Sequence, residues 1–158
     1  MATYRLVTRW QIAAPQVAVY RAISQSRYWP LWWRGLVDVR ELAAGNARGI
    51  GRGYRYHWQS RLGYRLVFDV YLVRHYAPKV IVGKVCGDLE GWGCWQLRER
   101  GGLTGVRHEW RVRTTRRWMN LAAPLARPLF IWSHHAVMRD GAAGLARWLN
   151  APPCGSEW

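Results

Sequence analysis

Tyr4, Leu6, Thr8, Trp10 and Ile12 alternate with Arg5, Val7, Arg9 and Gln11, the period-two pattern of a strand with one face turned inward. Ala14-Pro15 ends that run. Pro15 suits the first turn of a helix whose apolar positions are Val17, Val19, Tyr20 and Ile23. Ser24 or Ser26 caps a second short helix over residues 27–33, which Pro30 keeps short. Strands then follow one another at 36–42, 51–60, 64–76, 79–87, 93–99 and 104–114. Turns rich in glycine and small residues part them, at 43–49, Gly63, Ala77-Pro78, 87–91 and Gly101-Gly102. The third strand sets Tyr54, Tyr56 and Trp58 against Arg55, His57 and Gln59. The fourth turns Leu66, Phe68, Val70 and Leu72 inward, and the seventh sets Val106, His108, Trp110 and Val112 against Arg107, Glu109, Arg111 and Arg113. In the fifth, Val80, Val82 and Lys84 compete with Ile81, Gly83 and Val85 for the inside.

From Trp118 the period changes. Phe130, His134, Val137, Met138, Gly141, Leu145, Trp148 and Leu149 recur at three- and four-residue spacing, the stripe of one long helix. Pro124 and Pro128 make residues 118–127 a separate or kinked lead-in. Gly141 and Gly144 cost helix stability, which points to a close approach of the helix backbone to the sheet. A run of strands closed by one helix predicts an α+β domain over residues 1–150: a seven-stranded antiparallel sheet curved around the C-terminal helix, with two short helices after strand one. Residues 151–158, with two prolines and a glycine, form a loose tail. A sheet wrapped around a helix encloses space, and its inward face carries Tyr54, Tyr56, Trp58, Phe68, Trp95 and Trp110. The pattern describes a hydrophobic container.

Composition adds constraints. The chain of 158 residues carries a net charge of +15, and Lys79 and Lys84 are the only lysines among 24 basic residues. Such a charge draws a protein toward anionic partners. No nucleic-acid-binding motif accompanies it, and alternating arginines such as Arg107, Arg111 and Arg113 read as a solvated outer face, so specific nucleic-acid binding is not expected. Cys86, Cys94 and Cys154 match no metal or redox spacing, and no metal or cofactor is expected. The charged first ten residues read as no signal peptide, and the expected location is cytoplasmic.

Ile12-Ala13-Ala14-Pro15 before the first helix, Trp29-Pro30-Leu31-Trp32-Trp33 after it, the Gly87-Asp88-Leu89-Glu90-Gly91 run and the Trp118-Met119-Asn120 approach to His134 resemble the START-like superfamily often called SRPBCC, in its polyketide cyclase/dehydrase-like branch. The resemblance covers nearly the whole chain. It implies the helix-grip fold and an internal cavity; the superfamily includes ligand carriers, lipid-transfer domains and ring-closing cyclases, so it implies no single activity.

Three functions follow as expectations. The first is binding of a hydrophobic or aromatic small molecule, lipid- or polyketide-like, in the cavity. Tyr56, Trp58, Trp95, Trp110 and Met138 supply apolar contact and His108 and His135 polar contact. Each has a plainer structural role, as core filling or as a histidine bonded to a backbone carbonyl. The second is a cyclase or dehydratase with His108 and a nearby Tyr moving protons, although no second catalytic partner is identifiable. The third is a lipid-handling module on an anionic membrane surface, motivated by the charge and by the apolar, arginine-flanked segment 118–132. Trp32, Trp33 and Trp118 are expected at the cavity mouth. Asp69 reads as a surface partner for arginine and Asp88 as a turn residue; Cys86 and Cys94 do not read as activated nucleophiles.

Overall fold

The computed structural model describes residues 3–151 and 156–157. Cys154 and most of the tail expected to be loose lie outside the described residues. Strand β1 (Thr3–Ile12) leads into helix α1 (Gln16–Ser24) and a 3-10 helix (Ser26–Leu31). Strands β2 (Leu36–Ala43), β3 (Gly53–Gln59), β4 (Arg65–Tyr76), β5 (Val80–Gly87), β6 (Leu89–Arg100) and β7 (Leu103–Thr114) follow. Helices α2 (Arg117–Leu121) and α3 (Ala123–Trp148) and a two-residue strand β8 (Ser156–Glu157) complete the order. The sheet runs β2-β3-β4-β5-β6-β7-β1-β8, so seven long antiparallel strands carry the fold and β8 only adds to the edge beside Arg9 and Trp10. Because β1 and β2 lie toward opposite edges, the intervening short helices must cross from one side of the sheet to the other. Register shifts between Leu36 and Asp38, Glu41 and Ala43, and Leu72 and Arg74 bend the strands. Among the described residues no helix is long and apolar enough to cross a membrane.

Alternation is obeyed where it is clean. Tyr4, Leu6, Thr8, Trp10 and Ile12 are all buried, and Thr104, Val106, His108 and Val112 are buried from β7 beside them. The open question of β5 resolves toward Ile81, Gly83 and Val85 as the inner set, with Val85 only 1% exposed. The outer face is an arginine lattice: Glu109 holds Arg5 at 2.8 Å, Arg111 at 3.2 Å and Arg107 at 3.7 Å. Asp69 pairs with Arg55 through two hydrogen bonds, of 2.8 and 3.0 Å, from a half-buried position.

Four readings are corrected here. The glycine-rich stretch 87–91 is not an extended turn. Only Asp88 separates β5 from β6, and its carboxylate accepts the Val67 N–H at 2.8 Å. Leu89 is buried and pairs with Thr114. Trp148 does not share the buried stripe; it is half exposed at the end of α3. Gly141 and Gly144 bring α3 close to the segment after the 3-10 helix rather than to the sheet. A methyl group on Gly144 would stand 1.7 Å from the Trp32 carbonyl oxygen, and one on Gly141 would stand 2.5 Å from the Trp33 ring. The lead-in expected before the helix exists as α2, but α3 begins ahead of both prolines, with Pro124 in its first turn, where its missing N–H costs nothing.

Candidate functional site

Between the sheet and α3 lies a cavity of about 580 Å³. Its floor is made by the inner faces of β3 and β4: Tyr54, Tyr56 and Trp58, then Leu66, Phe68, Val70 and Leu72. Trp95, His108 and Trp110 form the wall from β6 and β7, and Phe130, Ser133, His134, Val137 and Met138 of α3 form the roof. Trp110 reaches the void because its neighbour across the ladder is Gly93. A Cβ there would lie 2.6 Å from the Trp110 ring. One end is packed solid with rings. Trp33 sits 5.6 Å from Trp10, 5.1 Å from Trp29 and 5.2 Å from Trp58 by ring centroid, and its Nε1–H donates to the Val137 carbonyl at 2.8 Å. The void begins where this cluster stops.

The exposed lining residues are grouped at one place. Ser24 and Gln25 from the end of α1, Ala47, Arg48 and Arg52 from the β2–β3 connection, and Ala77 after β4 line the cavity and are exposed, with His75 beside them half buried. The cavity therefore opens there. The His75 Nε2 lies 2.5 Å from the Arg48 carbonyl oxygen, which ties the β2–β3 connection to the end of β4 at this rim. Tyr64 also lines the space. Burial pushes its phenol pKa up, against the effect of hydrogen bonds with Ser133 and Ser60.

Tyr56 hydrogen-bonds with Ser26 while burial holds its phenol firmly protonated. Among the described residues, buried side-chain atoms without a hydrogen-bond partner belong to Thr8, Trp10, Trp32, His108, His134 and His135, and of these residues His108 and His134 line the cavity. His108 Nδ1 and His134 Nε2 are buried without a hydrogen-bond partner. His108 lies between Trp95, at 4.2 Å, and Trp110, at 5.3 Å. Desolvation pushes the pKa of each histidine down to about 3, and for His134 the neighbouring His108 and His135 add to the effect. Both are neutral at physiological pH. Each can still offer a hydrogen bond to a guest; neither holds a positive charge.

Of the residues expected to contact a ligand, Tyr56, Trp58, Trp95, His108, Trp110 and Met138 are all brought to this cavity. His135 is not among its lining residues; the neighbour that lines it is His134, which shares the helical stripe with Phe130, Val137 and Met138. One residue further, the helix has turned by about 100° and the side chain leaves the roof. The expected mouth is also corrected. Trp33 lines the closed end and is 3% exposed, and Trp32 is stacked on its outer side at 5.4 Å, away from the cavity. Trp118 packs on Tyr64 at 5.7 Å and is not among the residues that line the cavity. The true rim residues Arg48, Arg52 and His75 carry no signal that a local pattern could reveal. They meet only because β2–β3 folds back on the end of β4. Cys86 and Cys94 are free, and burial raises the Cys94 thiol, so it is a poor nucleophile. Among the described residues no three His, Cys, Asp or Glu side chains converge on a metal-sized space.

No protein-family model and no curated protein matches the sequence. Solved structures do match. The Zhui aromatase/cyclase from Streptomyces sp. R1128 superposes with a TM-score of 0.74 at 13% identity, over 94% of this chain and 94% of that one. A START superfamily protein from Mycobacterium smegmatis gives 0.74 at 14% identity, over 92% and 97%. The di-domain aromatase/cyclase BexL, of the BE-7585A biosynthetic pathway, gives 0.71 at 19% identity; 96% of this chain is covered, and it spans 51% of that protein's length. The architecture is thus common to START-like proteins and polyketide aromatase/cyclases, and this chain has their helix-grip fold, a curved antiparallel sheet closed over a long C-terminal helix.

Proposed function

We propose that this protein binds a hydrophobic or aromatic small molecule, lipid- or polyketide-like, in the cavity under α3. The observation that carries the reading is the ring-lined void of about 580 Å³ with the imidazoles of His108 and His134 among its lining residues. Its volume lies within the range of about 300–1,000 Å³ usual for small-molecule sites. A guest that hides on the order of 300 Å² of apolar surface gains roughly 7 kcal/mol at about 25 cal/mol per Å², before the costs of ordering. The two imidazoles orient it by hydrogen bonding, and Arg48 and Arg52 at the rim suit a polar end that faces solvent.

A ring-closing enzyme is the second reading, favoured by the fold shared with the aromatase/cyclases. A general base works best when its pKa lies near the working pH. Imidazoles held near 3 accept protons weakly at neutral pH, which supports the binding reading.

Native mass spectrometry of gently purified protein is expected to show a co-purified apolar compound. Ile81→Trp and Val137→Trp, which each push an indole into the void, are expected to lower affinity for a naphthalene-based fluorescent probe by roughly tenfold or more. Unchanged probe binding in both variants, with no guest in the spectrum, would overturn the binding reading. Turnover of a polyketide-like chain that His108→Ala abolishes would replace it with the enzymatic one.

A further inference from the structure

The outer side of the cavity roof carries a second feature. Leu121 is 85% exposed, Leu125 84%, Leu129 55% and Trp132 47%. Within α3 the spacing of four and three residues puts Leu125, Leu129 and Trp132 on one line, roughly 10 Å long at 1.5 Å per residue, and Leu121 stands at the end of α2 just ahead of it. Trp118, 42% exposed, stands one turn before them. On the opposite, inward side Phe130, Ser133 and His134 line the cavity, so the ridge is the outer face of the cavity roof. A ridge of large side chains left in solvent is the mark of a contact surface.

Its occupant is selected by charge. From residue 115 to 139 the chain has no Asp or Glu, and its charged residues are Arg116, Arg117, Arg127 and Arg139. Arg127 is anchored beside the ridge, donating to the Thr3 carbonyl at 2.9 Å and covering the Tyr4 ring. Arg116 lies over the Trp118 ring and donates to the Arg65 carbonyl at 2.6 Å. Asp88 is paired with Arg116 at 3.5 Å and Asp140 with Arg61 at 2.6 Å. A second copy of this chain would bring another +15 against the same face. An anionic lipid surface accepts both features at once: leucines and tryptophans enter the acyl boundary, and arginines meet the headgroups.

We propose that the ridge Trp118–Leu121–Leu125–Leu129–Trp132 docks the protein on an anionic lipid bilayer. The helix then lies in the plane of the interface, with the cavity roof against the lipid. The proposal stands on the outer face alone and holds whether or not the cavity contains a guest.

The test is co-sedimentation with vesicles of phosphatidylcholine alone and of phosphatidylcholine mixed with phosphatidylglycerol. The wild-type chain is expected to pellet with the mixed vesicles at low salt, to be released as salt rises, and to ignore the neutral ones. Leu121→Ser, Leu125→Ser and Leu129→Ser combined remove apolar surface without adding negative charge. This variant is expected to lose roughly tenfold or more in vesicle affinity with an unchanged urea midpoint. Single substitutions keep the test open if the triple variant folds poorly; each is expected to weaken binding severalfold. No pelleting with anionic vesicles at low salt overturns the proposal. So does a triple variant that pellets like the wild type, which makes the attraction diffuse charge. So does sedimentation velocity showing a dimer that the triple variant dissolves while vesicle binding persists, which makes a second copy the occupant.

Discussion

Gly144→Ala is expected to destabilise the fold by roughly 2–3 kcal/mol, although it replaces a poor helix former with the best one. In an open helix interior the exchange would stabilise by about 1 kcal/mol. Here the added methyl would stand 1.7 Å from the carbonyl oxygen of Trp32 and 2.8 Å from its carbonyl carbon. Both are backbone atoms, and the peptide cannot swing aside. Trp33, next along, is held by the hydrogen bond to the Val137 carbonyl and by rings on three sides. α3 must therefore lift away from this segment, and Trp33 lines the closed end of the cavity that α3 roofs. The thermal midpoint is expected to fall by roughly 5–10 °C, as measured by circular dichroism, and probe affinity with it. Gly141→Ala meets a ring instead of backbone, at 2.5 Å, and is expected to act in the same direction with a larger effect on the cavity than on stability. A Gly144→Ala midpoint equal to or above that of the wild type would show that the two segments are not in contact in solution.

That contact also explains what the sequence revealed and what it withheld. Where alternation was unbroken, as from Val106 to Val112, the inner face could be assigned residue by residue, and the six ring and methionine contacts assigned to the cavity are found lining it. The sequence points Trp32 and Trp33 to the mouth, beside the segment 118–132. They are buried because two glycines more than a hundred residues away let α3 descend onto them, a fact no local pattern contains. Glycine misled in β6 for a related reason. Gly91 read as part of a turn, yet it sits within a ladder opposite Val112, where a Cβ would lie 2.0 Å from the Arg111 carbonyl oxygen. Glycine density there signals close strands. His134 and His135 show the reverse. The apolar stripe already favoured His134, and helical geometry followed the stripe.

Lowering the pH from 7 to 4.5 is expected to cost the fold roughly 5 kcal/mol through His108 and His134. In the unfolded chain each imidazole takes up a proton as the pH falls through about 6.5. In the fold both stay neutral until about 3, because burial removes the water that would solvate the charge. Between those values the unfolded state binds more protons, so stability falls as pH falls, by about 1.4 kcal/mol per pH unit for each group. The contribution is fully present above the unfolded pKa and is lost on the way down to the folded one. Glu109 adds a loss of the same sign further down, since the Arg5 hydrogen bond foremost holds its carboxyl below the usual range. His108→Leu/His134→Leu isolates the imidazoles. It removes the unpartnered Nδ1 and Nε2 and leaves Glu109 in place, so the difference between the two urea-stability curves is theirs alone. The double variant is expected to lose roughly 5 kcal/mol less than the wild type over the same interval. Parallel curves would mean that the imidazoles are hydrated or paired in solution. The same depression has a consequence for binding. Groups that remain neutral from pH 5 to pH 8 cannot gate a guest, so probe affinity is expected to be flat across that range. An affinity that titrates near 6.5 and flattens in the double variant would place water, and a chargeable imidazole, inside the cavity.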